Sequence, residues 1–173
     1  MEINMKMIVF SGLPGTGKSK LAETLGKHLG IPVFAKDWLE ASLLRGGLAS
    51  TENQLGFVGY DLLTVLAERQ LMLGQSVILD SVASTETIRT TWRKLSDQYH
   101  ADWRVIECFC SDETLHRSRL EVRRRNIPGW HELAWSDVQK VKQYYATWEE
   151  EHLILDMVHP FEENYAKARA YCK

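Results

Sequence analysis

Gly12-Leu13-Pro14-Gly15-Thr16-Gly17-Lys18-Ser19 fits the pattern G-x-x-x-x-G-K-[ST] at every specified position. The apolar run Met7-Ile8-Val9-Phe10 reads as a strand leading into it. Leu21, Leu25 and Leu29 beyond it have the spacing of a helix that stops at Gly30, with Pro32 just after. Glycines let successive backbone N–H groups point into one concavity, and the helix after the loop adds its positive end. Strand, turn and helix in this order therefore build a nest for a polyphosphate. Gly12, Leu13, Pro14, Gly15, Thr16, Gly17, Lys18, Ser19 and Lys20 form the expected nucleotide-contacting segment. Within it Lys18 is placed to reach the β and γ phosphates, and Ser19 to hold Mg²⁺.

Composition bounds what is built around this loop. With 173 residues, 45% of them hydrophobic, the chain suits one domain over 1–173, on a prior of about 150 residues per domain. A formal net charge of −2 supplies no global drive toward nucleic acid or a membrane surface. No apolar run approaches the roughly 20 residues of a membrane span. Met5–Phe10 is too short for a signal peptide, so a cytoplasmic protein is expected. The three cysteines contain no C-x-x-C pair and are poor material for a disulfide framework. Cys108 and Cys110, two apart on an expected strand, share a face and read as core residues. The six histidines lack metal-ligand spacing.

Along the chain, Val33-Phe34-Ala35 is a short second strand, after which Asp37 opens a segment broken at Gly46-Gly47. Gly47–Gly59 reads as a loop or short helical piece over the substrate side. A helix is expected from Asp61 to Gly74, and Val77-Ile78-Leu79-Asp80 is a buried parallel strand. Ser84 is the expected N-cap of a helix carrying Ile88, Trp92, Leu95 and Tyr99. A fourth strand spans Arg104–Cys110, and Asp112 opens a basic helix running through Arg125 to the break at Pro128-Gly129. Ser136-Asp137-Val138-Gln139 reads as a capping box for a helix whose apolar face is Val138, Val141, Tyr145 and Trp148. Leu153-Ile154-Leu155-Asp156 is the fifth strand, and Pro160 is expected at N1 of the last helix.

Strands alternating with helices imply an α/β fold, a parallel sheet with helices on both faces and ligands at the carboxyl ends of the strands. Ser11, Lys36, Asp37, Asp80, Ser81, Cys110 and Asp156 all fall at that rim.

The phosphate loop, Phe34-Ala35-Lys36-Asp37-Trp38-Leu39-Glu40-Ala41, the Leu79-Asp80 strand end and the Arg119-x-x-x-Arg123 spacing together resemble the small P-loop kinases. That group includes chloramphenicol phosphotransferase, the polynucleotide 5′-hydroxyl kinase domain, zeta toxins and AAA-type ATP-binding kinase-like proteins. The resemblance covers nearly the whole chain, the loop being its one highly specific motif. It implies a P-loop NTPase of the nucleoside-monophosphate-kinase-like type, a three-layer α/β/α domain with a five-stranded parallel sheet of order 2-3-1-4-5. It also implies Mg²⁺-dependent phosphoryl transfer from ATP to a hydroxyl. A ring-forming AAA ATPase is not expected, because no strand ends in paired Asp-Glu.

By the same resemblance Asp37 is the base that accepts the proton of the acceptor hydroxyl; the residues alone read equally well as a helix N-cap. Asp80 either holds Mg²⁺ through water or hydrogen-bonds the acceptor. Residues 117–135 read as a lid. A helix would put Arg119 and Arg123 on one face to clamp the transferring phosphoryl group, while Arg124 and Arg125 point elsewhere. Glu113 and Glu121 are expected partners of these arginines. Trp92 and Trp148 read as core, and Trp38, Trp130 and Trp135 as candidates for the acceptor pocket. The adenine is expected against Asp156–Pro160. The acceptor is expected to be a small molecule bearing a hydroxyl. A polynucleotide is disfavoured by the net charge and by Glu40, where that family's pattern has a basic residue. A regulatory ATPase without a second substrate is the other alternative.

Overall fold

Alternation along β1 (Lys6–Ser11) sets the layers: Met7 and Val9 face one core, Ile8 and Phe10 the other, and none of the four has exposed surface. A strand apolar on both faces must be covered on both. The computed structural model of the chain describes residues 5–48 and 52–173, with side chains from 55 onward in the second segment. β2 (Val33–Ala35), β3 (Val77–Asp80), β4 (Asp102–Phe109) and β5 (Leu153–Asp156) complete a five-stranded sheet of order β2-β3-β1-β4-β5, each pairing parallel. This is the order expected from the sequence. α1 (Lys18–Leu29) and α7 (Phe161–Tyr171) cover the Ile8 and Phe10 face with Leu21, Ala22, Leu25 and Ala168. α3 (Glu52–Met72) and α4 (Glu86–Gln98) cover the other with Leu63, Ala67, Leu71 and Trp92.

Several boundaries differ from expectation, each for a tertiary reason. Where the sequence reads as a loop or short helical piece to Gly59, α3 is a continuous helix from Glu52; positions 49–51 of that stretch lie outside the described residues. Helix α2 (Lys36–Arg45) packs against α3 there, and a Cβ at Gly59 would stand 2.8 Å from Glu40 Cγ and Oε1. The glycine is thus a point of close approach, and packing overrides its poor helix propensity. Thr85 rather than Ser84 is the N-cap of α4, and Pro160 is the N-cap rather than N1 of α7. Helix α6 (Trp135–Tyr144) begins before Ser136, its N-cap being Ala134, whose N–H donates to the Asp137 carboxylate at 2.9 Å. Cys108 is buried as expected, but Cys110 lies past the end of β4 and does not share its core face.

α6 also stops at Tyr144, so Tyr145 and Trp148 belong to a connector and not to a helical face. Arg89 explains why. Its buried guanidinium donates to Ala83 O at 2.8 Å, Ala146 O at 2.7 Å and Thr147 O at 3.1 Å, and lies 3.9 Å over the Trp148 ring. Trp148 Nε1 in turn donates to Ser11 Oγ at 3.2 Å, and Ser11 Oγ donates to Val82 O at 2.8 Å. Carbonyls that a helix would use internally are held here by a side chain, which fixes the connector under the carboxyl end of β1. Arg89→Met should leave those carbonyls buried without donors. The expected loss is about 3 kcal/mol, or ~6–12 °C in Tm for a chain of this size, read by thermal unfolding.

Candidate active site

The phosphate loop bends at Gly12, Gly15 and Gly17, with φ of 131°, 85° and 100°. Gly12 is also a position no side chain could occupy, since its Cβ would fall 2.0 Å from Cys108 O. The loop is tied from within and from outside. Thr16 Oγ1 donates to Leu13 O at 3.0 Å, the Gly12 N–H donates to Val82 O at 3.3 Å, and His116 Nε2 donates to Pro14 O at 2.8 Å. His116 is buried and stands edge-on to Trp135, 5.1 Å between ring centres. Burial pulls its pKa down, with the Pro14 carbonyl opposing, so it serves as a neutral donor that shapes the loop. Nothing in the sequence marked His116; its role comes from α5 (Glu113–Val122) lying across the loop.

At the head of α1, Lys18 is buried, and its pKa is lowered first by that burial, with Asp80 opposing and Arg125 and Arg123 adding to the fall. Asp80, at the end of β3, is the reciprocal case. Burial pushes its carboxyl up, while Lys18 and a hydrogen bond from Ser19 pull it back. Its Oδ1 and the neighbouring Ser81 Oγ are buried and without a hydrogen-bond partner among the described residues. A carboxylate oxygen and a serine hydroxyl side by side are hard donors of the kind Mg²⁺ takes.

Two cavities meet at this point. One, of about 690 Å³, is lined by Gly15, Thr16, Gly17 and Lys20 of the loop and by Arg119, Trp38, Met157, His159 and Phe161. The other, of about 460 Å³, is lined by Pro14, Asp37, Glu40, Tyr60, Asp80, Trp130 and Tyr144. Lys18, Ser19, Arg123 and Arg125 line both. Of the expected segment, Leu13 alone contributes only its carbonyl to the loop's internal bonding, and Gly12 acts by letting the backbone pass β4. Of the three tryptophans proposed for the acceptor side, Trp130 lines that cavity, Trp38 lies on the other, and Trp135 packs on His116 instead.

The segment expected to be a lid ends its helix early. Asp112 caps α5, its carboxylate accepting from the Leu115 N–H at 2.9 Å, yet the helix stops at Val122 and Arg123 has extended backbone (φ −64°, ψ 139°). Alternate residues then face opposite ways. Arg123 and Arg125 turn inward, and exposed Arg124 turns out to the Glu121 carbonyl at 3.1 Å. The expectation that Arg125 points elsewhere is therefore wrong: it forms an ion pair with Asp37 inside the smaller cavity. Asp37 caps nothing, because the N-cap of α2 is Ala35. Arg119 donates to Met157 O at 2.6 Å and lines the nucleotide side, while Nε and Nη2 of Arg123 are buried with no partner among the described residues. Glu121 pairs with Arg117 at 3.0 Å as expected, but Glu113 meets Lys142 of α6 at 3.4 Å and no arginine.

A loop nested against one cavity, with a second cavity opening on the same lysine, matches a known family. The model of a family described as AAA domain matches residues 7–147. The chain belongs to that AAA-domain family. A UPF0200 protein of Methanothrix thermoacetophila is 30% identical over 131 residues, covering 70% of this chain and 68% of the relative. A sugar kinase from Janibacter sp. HTCC2649 superposes with a TM-score of 0.73 at 16% identity, covering 97% of this chain and 94% of that one. The Mycobacterium tuberculosis APS kinase in complex with AMPPNP and APS gives 0.71 at 18% identity, covering 98% of each chain. The AAA domain here thus has the fold of the small P-loop kinases. No helix among the described residues is long and apolar enough to cross a membrane.

His116 gives a pH test of the loop. Its pKa is depressed in the folded chain, so below its ordinary value the unfolded chain takes up a proton that the folded chain resists, and stability is lost as pH falls through about 6.5. Thermal unfolding of wild type should therefore drop more between pH 7.5 and 5.0 than that of His116→Gln, which keeps a donor without the titration.

Proposed function

We propose that this protein is a kinase that transfers the γ-phosphoryl group of ATP to a hydroxyl of a small, uncharged acceptor. The observation that carries the reading is the meeting of two cavities at Lys18, Ser19, Arg123 and Arg125, with Asp37 lining the smaller cavity and not the larger. A nucleotide in the larger cavity would direct its terminal phosphate at the smaller one, where an acceptor hydroxyl would lie beside Asp37. Asp37 accepts the hydroxyl proton as the new O–P bond forms and the bond to the β-phosphate oxygen breaks, with ADP leaving. Lys18 and Arg123 neutralise the charge that spreads over the transferring oxygens. Ser19 and Asp80 would hold Mg²⁺, which would supply further positive charge against the phosphate oxygens.

The acceptor side supports an uncharged substrate. Apart from Lys18, Asp80 and Arg123 at the phosphate-loop end, its fixed charges are paired with one another, Lys36 with Glu40 and Asp37 with Arg125, and Lys36 also lies 4.6 Å over the Tyr60 ring. What remains for a ligand is the faces of Tyr60, Phe57 and Trp130, the unpartnered Trp130 Nε1 and Ser81 Oγ, and the hydroxyls of Ser84 and Thr85. Such a lining suits a neutral ring-bearing alcohol. Away from Lys18 and Arg123, which it shares with the phosphate-loop cavity, its described lining offers no unpaired cation of the kind a neighbouring phosphate of a polynucleotide would demand. A cavity of about 460 Å³ also gives a second substrate somewhere to sit, which favours a kinase over a switch that only hydrolyses nucleotide.

The reading is tested by following ADP release against a panel of neutral sugars, nucleosides and aromatic alcohols. A hit should be phosphorylated stoichiometrically with ATP used; acceptor-independent hydrolysis throughout would favour the switch. With an acceptor in hand, Asp37→Asn should cut transfer by more than about tenfold, ~1.4 kcal/mol, without weakening ATP binding. Arg123→Ala should cut kcat by roughly 10³-fold or more and leave nucleotide affinity within about tenfold. Lys18→Ala should lower turnover far more than it lowers ADP affinity.

A further inference from the structure

Arg125 lies at a junction whose purpose the kinase reading leaves unexplained. Its side chain is mostly buried, lines both cavities, bears on Lys18 closely enough to disfavour the lysine's charge, and is ion-paired with the carboxylate proposed as the base. The segment carrying it is anchored at both ends. The Arg125 N–H donates to Glu132 Oε1 at 2.8 Å, and Arg45 of α2 donates to the Pro128 carbonyl. Asp37 is also on α2, so the lid and the helix bearing the base are tied together twice. A carboxylate oxygen engaged by a guanidinium is less available to a substrate hydroxyl than a free one. Three basic side chains, Lys18, Arg123 and Arg125, line both cavities, an arrangement that favours a polyanion.

Resting on the kinase reading, we propose that Asp37 and the terminal phosphate of ATP compete for Arg125. Arrival of the γ-phosphate draws the guanidinium across the junction, adds it to the phosphate clamp, and releases Asp37 to engage the acceptor. The base is thereby freed only when there is a phosphoryl group to transfer. Reciprocity then sets a signature that needs no acceptor: whatever the γ-phosphate gains from Arg125 is reduced by what Asp37 must give up.

Titration calorimetry with Mg·AMPPNP, an ATP analogue, and with Mg·ADP on wild type, Asp37→Asn, Arg125→Gln and the double variant tests this. Asp37→Asn should tighten AMPPNP by about three- to tenfold, the range of a partly buried ion pair, and leave ADP within about twofold. In the Arg125→Gln background the same change should have no effect beyond about twofold. Tightening that persists without Arg125, or that extends equally to ADP, is plain relief of charge repulsion and overturns the proposal. Should Arg125→Gln not fold, the Nε–Hε NMR signal of Arg125 decides. It should differ between wild type and Asp37→Asn without nucleotide and coincide once AMPPNP saturates both; a difference that survives saturation overturns the exchange. Wild type that binds neither nucleotide removes the kinase reading itself, an outcome distinct from binding without coupling.

Discussion

Lys18 cannot be buried and charged without help, and much of the molecule is arranged around supplying it. Desolvation disfavours the ammonium, two arginines disfavour it further, and Asp80 is the largest single opposing influence. Asp80 is itself pushed toward neutrality by burial, with Lys18 the largest influence opposing that push. Each makes the other tolerable, as expected of a desolvated pair. The parallel sheet places them together, since β1 runs into the loop that ends at Lys18 while its neighbour β3 ends at Asp80. The remaining oxygen of Asp80 and the free guanidinium nitrogens of Arg123 are then left pointing at the one region where a phosphate and its metal would complete them.

How much of this could be read from residues alone depends on the range of the interaction involved. The sheet order came from the resemblance to the small P-loop kinases, whereas the buried strands and the loop were legible because they rest on local periodicity and a dense motif: Met7 to Phe10 are all apolar, and Leu21 and Leu25 recur by four. Asp37 and Asp80 were legible as rim acids for the same reason. His116, Arg89 and the partner of Asp37 were not. His116 matters because α5 crosses the loop, Arg89 because a distant connector needs its donors, and Arg125 because α5 stops at Val122 although the arginines after it are good helix formers.

The error over the long helix α3 has the same character. Gly56 and Gly59 argue against a helix on propensity, and only the position of Glu40 against Gly59 makes the helix favourable there. That contact also brings Tyr60 and Phe57 to the acceptor cavity, so the local rule failed where the site needed an aromatic wall.

The alternation of Arg123, Arg124 and Arg125 makes the lid sensitive to parity. In a helix, inserting one residue rotates the downstream side chains by about 100°, and long side chains can reach around the difference. In extended backbone the same insertion reverses every residue after it. Between Val122 and Arg125, a one-residue change in length would turn the inward guanidinium to solvent and bring its neighbour inward. A two-residue change would keep the facing and alter only reach. Segment length here is therefore a specification of charge placement, and designs that graft or shorten this lid should change it in even steps.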